Sequence, residues 1–536
     1  MQWLVFIHSK GSFPLPKRQV FAVLGTRSQN GQGFMTNTSS FTHRSRVQSF
    51  AVVLAIELWE RFGYYGMQGI LLLYMVQRLN LADAQANVLL GTLSAVIYAA
   101  PAIGGWVGDA VLGSRRTMLL GAVVLALGYG VLGLDSGGQL TLFVALAIVA
   151  LGNGLFKANS ANLVRRIYEG DNAQIDVAFT YYYMSINIGS MVSLLLTPWL
   201  QARLGWGPPF GVCAAGLVFG LASYGFFRKR LSTVGSAPDF SPLVWGRLVA
   251  VLAGMGVFVA VVVSILGSPM LGRICVWVAA IAVVVAWVLL YRRAAPQSRP
   301  GLRLAYLLIV QTMVYFVFYQ QMVTSLTLFA LRDVRSEFTL FGVPLFSLSA
   351  GQFQALNPVW IMLASPLLSW GYGQLEKRGY YLPVAEKFIA GFSLVALSFL
   401  IWWWSAAQSV APISPWVMFW AYGALSVGEL LISALGLAVV ARYVPLNIGA
   451  FMMGSYCVSN GVAMYLGSMV ANMAAVSGAV GGETVAAMLP VYASLFRSLF
   501  FLAVGCTVVF VVCLPFTRRW DAQHHAALGI KAGAKG

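Results

Sequence analysis

Glu57, Glu60 and Arg61 stand close together in a segment, from about Ser49 to Met75, that is otherwise apolar and long enough to cross a bilayer. At 100° per residue, positions 57, 60, 61, 64, 65 and 68 of a helix fall within an arc of roughly 140°. Glu57, Glu60, Arg61, Tyr64, Tyr65 and Gln68 therefore share one face, and Leu58, Phe62 and Leu73 lie off it. A charged side chain at the centre of a membrane helix costs about 2.5–3.5 kcal/mol on insertion scales. The polar face must then line a water-filled cavity or an interhelical seam. Two acids beside a base suit proton exchange and anion recognition. The plainer alternative is a structural ion cluster that locks this helix to a neighbour.

Two further charges sit in apolar surroundings. Lys157 lies in Gly152-Asn153-Gly154-Leu155-Phe156-Lys157-Ala158-Asn159, and Arg165 and Arg166 already mark the interface about two turns on. Snorkelling is the alternative, but that spacing predicts a buried Lys157 in need of an anionic partner, with Glu57 and Glu60 as candidates. Glu429 has no charged neighbour before Arg442. An isolated carboxylate at membrane depth is a functional candidate by default, the alternative being a protonated carboxyl bonded to backbone. Asp109, followed by Arg115 and Arg116, suits a cytoplasmic helix end with a gating and orienting role.

The elements that must position these groups are membrane helices. The chain has 536 residues, 59% hydrophobic and 9% charged, whereas a soluble domain is about a quarter charged. Fourteen apolar spans follow one another between residues 49 and 516. Loops richer in Lys and Arg alternate with poorer ones, which places both termini in the cytoplasm. The spans divide into residues 1–47 as a disordered extension, 48–230 as a first six-helix bundle, 231–300 as a linker with an inserted hairpin, 301–517 as a second six-helix bundle, and 518–536 as a cytoplasmic tail. This is an all-α polytopic membrane protein with the plan of the major-facilitator fold, whose site lies between the halves near the midplane. The net charge of +18 is spread along loops and reads as a topology signal, with no nucleic-acid partner. The histidines, His8, His43, His524 and His525, lie in the tails, which excludes a histidine proton relay. No cysteine spacing suggests a metal site or a disulfide framework. No nucleophile–base pair suggests an enzyme.

Glu57-x-x-Glu60-Arg61-Phe62-x-Tyr64-Tyr65-Gly66 resembles the first-helix motif of the proton-dependent oligopeptide transporter family. Tyr182-Tyr183-x-x-Ile186-Asn187-x-Gly189-Ser190 is similar to its fifth-helix signature, and Gly428-Glu429-x-x-x-Ser433 to its tenth-helix signature. The resemblance implies that Arg61 and Lys157 receive a peptide carboxylate and that Glu429 receives its amino group. It implies that Tyr64, Tyr65, Tyr98, Asn187 and Asn357 contact the peptide backbone, with Ser433 and Tyr456 also in the pocket. Many members carry an arginine at the position of Gln68 and a glutamate at that of Gln320, as an ion pair between helices one and seven. Here the pair is neutral, so the gate is expected to close by amide hydrogen bonds, and proton coupling falls to Glu57 and Glu60, tuned by Arg61 and Lys157. The expectation is a proton-coupled symporter of di- and tripeptides, monomeric, in a bacterial inner membrane, with protons as coupling ion and no cofactor or metal. Same-fold rivals are a transporter of nitrate or another small anion and a drug exporter.

Overall fold

A computed structural model describes residues 43–379, 383–410, 412–475 and 485–527. The expected extension therefore lies almost wholly outside the described residues, which open directly in a helix. The first bundle comprises α1 (His43–Leu73), α2 (Asp83–Trp106), α3 (Ser114–Gly133), α4 (Gln139–Ile167), α5 (Asn172–Leu204) and α6 (Gly207–Phe227). A hairpin follows, α7 (Trp245–Gly267) and α8 (Pro269–Arg293). The second bundle holds α9 (Arg299–Gln320), α10 (Ser325–Arg332), α11 (Leu356–Lys377), α12 (Val384–Gln408), α13 (Pro415–Tyr443), α14 (Leu446–Ala471) and α15 (Val485–Ala527). Since α9 and α10 form one interrupted rod, the fourteen expected spans and the six, two, six division are present.

Ten of the described helical segments are long and apolar enough to cross a membrane. Four others of comparable length, α1, α5, α11 and α14, are more polar because they carry the faces described below. The break between α9 and α10 frees carbonyls at membrane depth, which lipid cannot satisfy. Local hydroxyls do so: Thr324 Oγ1 donates to the Gln320 carbonyl at 2.8 Å and Thr327 Oγ1 to that of Met322 at 2.8 Å.

The hairpin packs outside the bundles but grips both. Helix α7 lies on α4 and α2, and α8 on α2 and α14. Trp287 donates from Nε1 to Ser455 Oγ at 3.0 Å and stacks on Tyr306 at 5.1 Å.

Two regions depart from the expected helices and loops. The segment after α10 forms an antiparallel pair, β1 (Glu337–Leu340) and β2 (Val343–Ser347), turning through Phe341 and Gly342 at positive φ. Its buried Phe338 stacks on Phe346 and meets Trp416 edge-on. The segment placed in a cytoplasmic tail continues α15 as far as Ala527, held by Asp521, which accepts from Tyr443 Oη at 2.8 Å.

Candidate functional site

The α1 face folds as an ion cluster that its neighbours complete. Arg61 Nε donates to Glu57 Oε1 at 2.9 Å and lies 2.6 Å from Glu60 Oε2, off hydrogen-bond geometry. Helix α4 contributes Ser160, whose Oγ donates to Glu57 Oε2 at 2.6 Å, and Asn153, whose Nδ2 donates to Glu60 Oε1 at 3.1 Å. Helix α5 contributes Tyr182, with Oη 3.1 Å from Ser160 Oγ. Ser160 has given its one proton to Glu57, so Tyr182 is the donor to it. Glu57 and Glu60 are fully buried, and Arg61 is 4% exposed with its Nη2 lacking a partner. Close approach of α5 depends on the motif glycine: a Cβ on Gly189 would stand 2.8 Å from the Leu58 carbonyl oxygen.

Lys157 departs from the expected pairing. Among the described residues it forms no ion pair, and its Nζ sits 5.1 Å from the centre of the Tyr98 ring. Arg61 reaches both acids from their own helix, so no cation from α4 is needed to hold them. The tyrosine expectations converge here. Tyr64 lies under Arg61 at 5.8 Å and meets Tyr65 edge-on at 5.3 Å. Tyr98 lies within Coulombic range of Tyr64, Tyr65 and Tyr456, and packs on Phe316 of α9 at 5.8 Å.

The second bundle presents Glu429 on α13, 1% exposed. Asn357 of α11 donates from Nδ2 to Glu429 Oε2 at 2.8 Å and also approaches Ser426 Oγ at 3.0 Å. No cation pairs with Glu429 among the described residues. Tyr65 lies within Coulombic range of both Arg61 and Glu429, which ties the two bundles' charges to one region. A small cavity at that seam is lined by Tyr65, Gln68 and Ser190 from the first bundle and Tyr319, Gln354 and Asn357 from the second. Asn187 donates from Nδ2 to the Tyr183 carbonyl at 2.9 Å, while its buried Oδ1 has no partner. The Ser433 side chain lies outside the described residues.

The gate differs from the expected amide pair. Gln320 Nε2 donates to Ser468 Oγ of its own bundle at 3.0 Å, and Gln68 faces the cavity with no hydrogen bond among the described residues. Helix α14 presses so closely on α9 at Gly467 that Ser468 is the nearer partner. The bundles close instead at their outer ends. Arg332 grips Asp83 of α2 with Nη1 at 2.6 Å and Nη2 at 2.8 Å, and Asn87 donates to Asn472 Oδ1 at 3.0 Å. Gln352 Nε2 donates to the Leu195 carbonyl at 2.8 Å. Asp109 accepts from Asn162 at 2.8 Å and lies 3.4 Å from Arg166, so it fixes α2 to α4 within the first bundle.

Sequence reading missed Asn153, Ser160, Tyr182 and the Asp83–Arg332 pair as site residues. A signal for the α4 pair existed, since residues 153, 157 and 160 share one helical face. None existed for Asp83 with Arg332, which are joined only by the tertiary fold.

Residues 115–486 match the POT family. The chain is 39% identical to the dipeptide and tripeptide permease A of Erwinia pyrifoliae over 88% of this chain and 94% of that one. It is 38% identical to the permease of the same name from Klebsiella pneumoniae over 90% and 94%. Among solved structures it is similar to tetrameric PepTSo2, with 44% identity, a TM-score of 0.80, and 89% of this chain and 100% of that chain covered.

Proposed function

This chain belongs to the POT family, and we propose from that premise that it imports di- and tripeptides by proton symport and alternating access. The observation that carries the reading is a pair of opposed, unmatched charges. On one wall, Arg61 has an unpartnered Nη2 and Lys157 has no acid among the described residues. On the other, Glu429 has an amide partner and no cation among the described residues. A zwitterionic peptide satisfies both: its carboxylate goes to Arg61 and Lys157, its ammonium to Glu429. The free Asn187 Oδ1 accepts from a peptide N–H. Closing the halves around such a ligand removes the cost of leaving each charge buried alone.

Glu60 is the group that exchanges the proton. Glu57 receives donors on both oxygens, from Arg61 and Ser160, an arrangement that suits a carboxylate. Glu60 receives one, from Asn153, and its Oε2 lacks a hydrogen bond. Protonation of Glu60 loosens Arg61 for the peptide carboxylate, and proton loss to the cytoplasm restores the cluster and expels the peptide. One pH unit is worth about 1.4 kcal/mol and 100 mV about 2.3 kcal/mol per charge. Together they support roughly 500-fold accumulation per proton.

The chain works in a bacterial inner membrane with both termini cytoplasmic, as its loop charges suggest. Each copy carries a whole site, so a single chain suffices for transport even in an assembly such as the tetramer described for PepTSo2. A bare small anion has no use for Glu429, which disfavours that rival. The deciding experiment is uptake of alanyl-dipeptide into proteoliposomes. Accumulation should require an imposed inward proton gradient, and uptake indifferent to the gradient would overturn the symport reading.

A further inference from the structure

Next to the outer gate is a carboxyl group that peptide binding does not use. Asp333 follows Arg332 at the end of α10 and is 0% exposed. Its backbone is well tied: its N–H donates to the Phe329 carbonyl at 2.9 Å, and its carbonyl accepts from the Ile413 N–H at 2.7 Å. Its side chain is not, since neither Oδ1 nor Oδ2 has a hydrogen-bond partner. The adjacent guanidinium is directed elsewhere, holding Asp83 with both terminal nitrogens and approaching Tyr492 Oη at 3.5 Å. A buried carboxylate without donors is expensive, whereas a neutral carboxyl is not.

We propose that Asp333 is a proton-binding site built into the outer gate: it is neutral while Arg332 holds Asp83, and ionised when the gate opens and Arg332 turns to it. Asp83 belongs to the first bundle and Arg332 to the second, so opening the outer side must part them. A freed Arg332 then has a carboxylate on the next residue. Closing the gate reverses the exchange, and Asp333 takes a proton from periplasmic water as Arg332 returns to Asp83. Opening gives that proton back. This provides a protonatable acid on the seventh span, where Gln320 cannot serve.

The groups facing Asp333 agree with this. Arg332 acts on it from α10, and Tyr492 of α15 lies within reach of Arg332, Asp83 and Asp333 alike. The segment before α13 contributes backbone, with the nearby Arg335 donating from Nε to the Pro412 carbonyl at 3.1 Å. Burial pushes the Asp333 carboxyl from 3.8 up to about 7, with Arg332 opposing only in part. The value is raised in the closed gate and falls to the ordinary range or below in the open one. Protonation therefore favours closure, and that advantage is lost as pH rises toward the closed-state value. An acidic periplasm thus helps shut the gate; the proton held by Asp333 is returned on opening and adds nothing to the number carried inward.

The test needs no peptide, so its failure is separable from failure of the symport reading. Spin labels on Leu204 and Val410, exposed at the outer ends of opposite bundles, report the gate by distance measurement in lipid nanodiscs. The background lacks the native cysteines and carries Glu60→Gln, which silences the central acid. Between pH 5 and pH 7 the closed-to-open ratio should fall by about 50-fold. Asp333→Asn should hold the gate closed and flatten the response. Asp83→Asn should flatten it too, with the gate shifted open, because Arg332 is then free for Asp333 at every pH. If Asp333→Asn does not fold, Asp333→Ser makes the same test. An unchanged slope in the neutral variant, or no pH response in the starting protein, overturns the proposal.

Discussion

The two bundles hold their acids in opposite ways. On α1, two carboxylates surround one guanidinium, and α4 and α5 add Asn153, Ser160 and Tyr182 around them. On α13, a single carboxylate accepts from the amide of Asn357 and has no cation beside it among the described residues. The first arrangement is an equilibrium between partners, which a proton can tip. The second is a lone buried carboxylate, which on the proposed function a ligand's ammonium would satisfy. On the proposed function, coupling and recognition fall to different bundles, and transport consists in joining them.

The largest effect should come from the first wall. Glu60→Gln should abolish gradient-driven accumulation and leave peptide counterflow intact, whereas Glu57→Gln should lose both, since it strips Arg61 of its fixed partner, and breaking a buried pair costs about 3–5 kcal/mol. Counterflow that survives equally in both variants would erase the distinction drawn between the two acids. On the second wall, Glu429→Gln should raise the KM for peptides with a free amino terminus by about 10- to 100-fold, the weight of a charged hydrogen bond. N-acetylated peptides, lacking the ammonium, should be nearly indifferent to it. An equal loss for both ligand types would remove Glu429 from amine recognition. The smallest effect should be that of Ser160→Ala. With one donor to Glu57 gone, worth about 1–2 kcal/mol, the cluster that holds Arg61 is weakened and gradient-driven uptake should fall by about 5- to 30-fold. Ser160→Thr keeps the hydroxyl and should restore uptake, and uptake unchanged in the alanine variant would leave Ser160 a packing residue.

Much of this was legible in the chain. The polar stripe at 57, 60, 61, 64, 65 and 68 is a helical period, and Glu429 stands alone in an apolar run, so both charged regions are visible in the sequence. The partner of Lys157 was not. Charge alone favours Glu57 or Glu60, but Arg61 is four residues from Glu57 on the same helix and satisfies it locally, which leaves Lys157 over an aromatic ring. The gate was misplaced for a related reason. Gln68 and Gln320 occupy the positions of a family ion pair, while Asp83 and Arg332 are 249 residues apart and lie at loop boundaries. Residues 337–347 read as a loop because a strand pair of this size buries little more than Phe338.

The inserted hairpin leans on α4 with one arm and on α14 with the other, yet most of its surface faces the bilayer. At 1.5 Å per residue, the 23 residues of α7 measure about 35 Å against a hydrocarbon core of about 30 Å. The arm must tilt, and its tilt changes with membrane thickness. Because it touches both moving bodies, lipid chain length becomes a variable of the transport cycle. Turnover measured across vesicles of graded acyl length should pass through an optimum that disappears when the hairpin is excised.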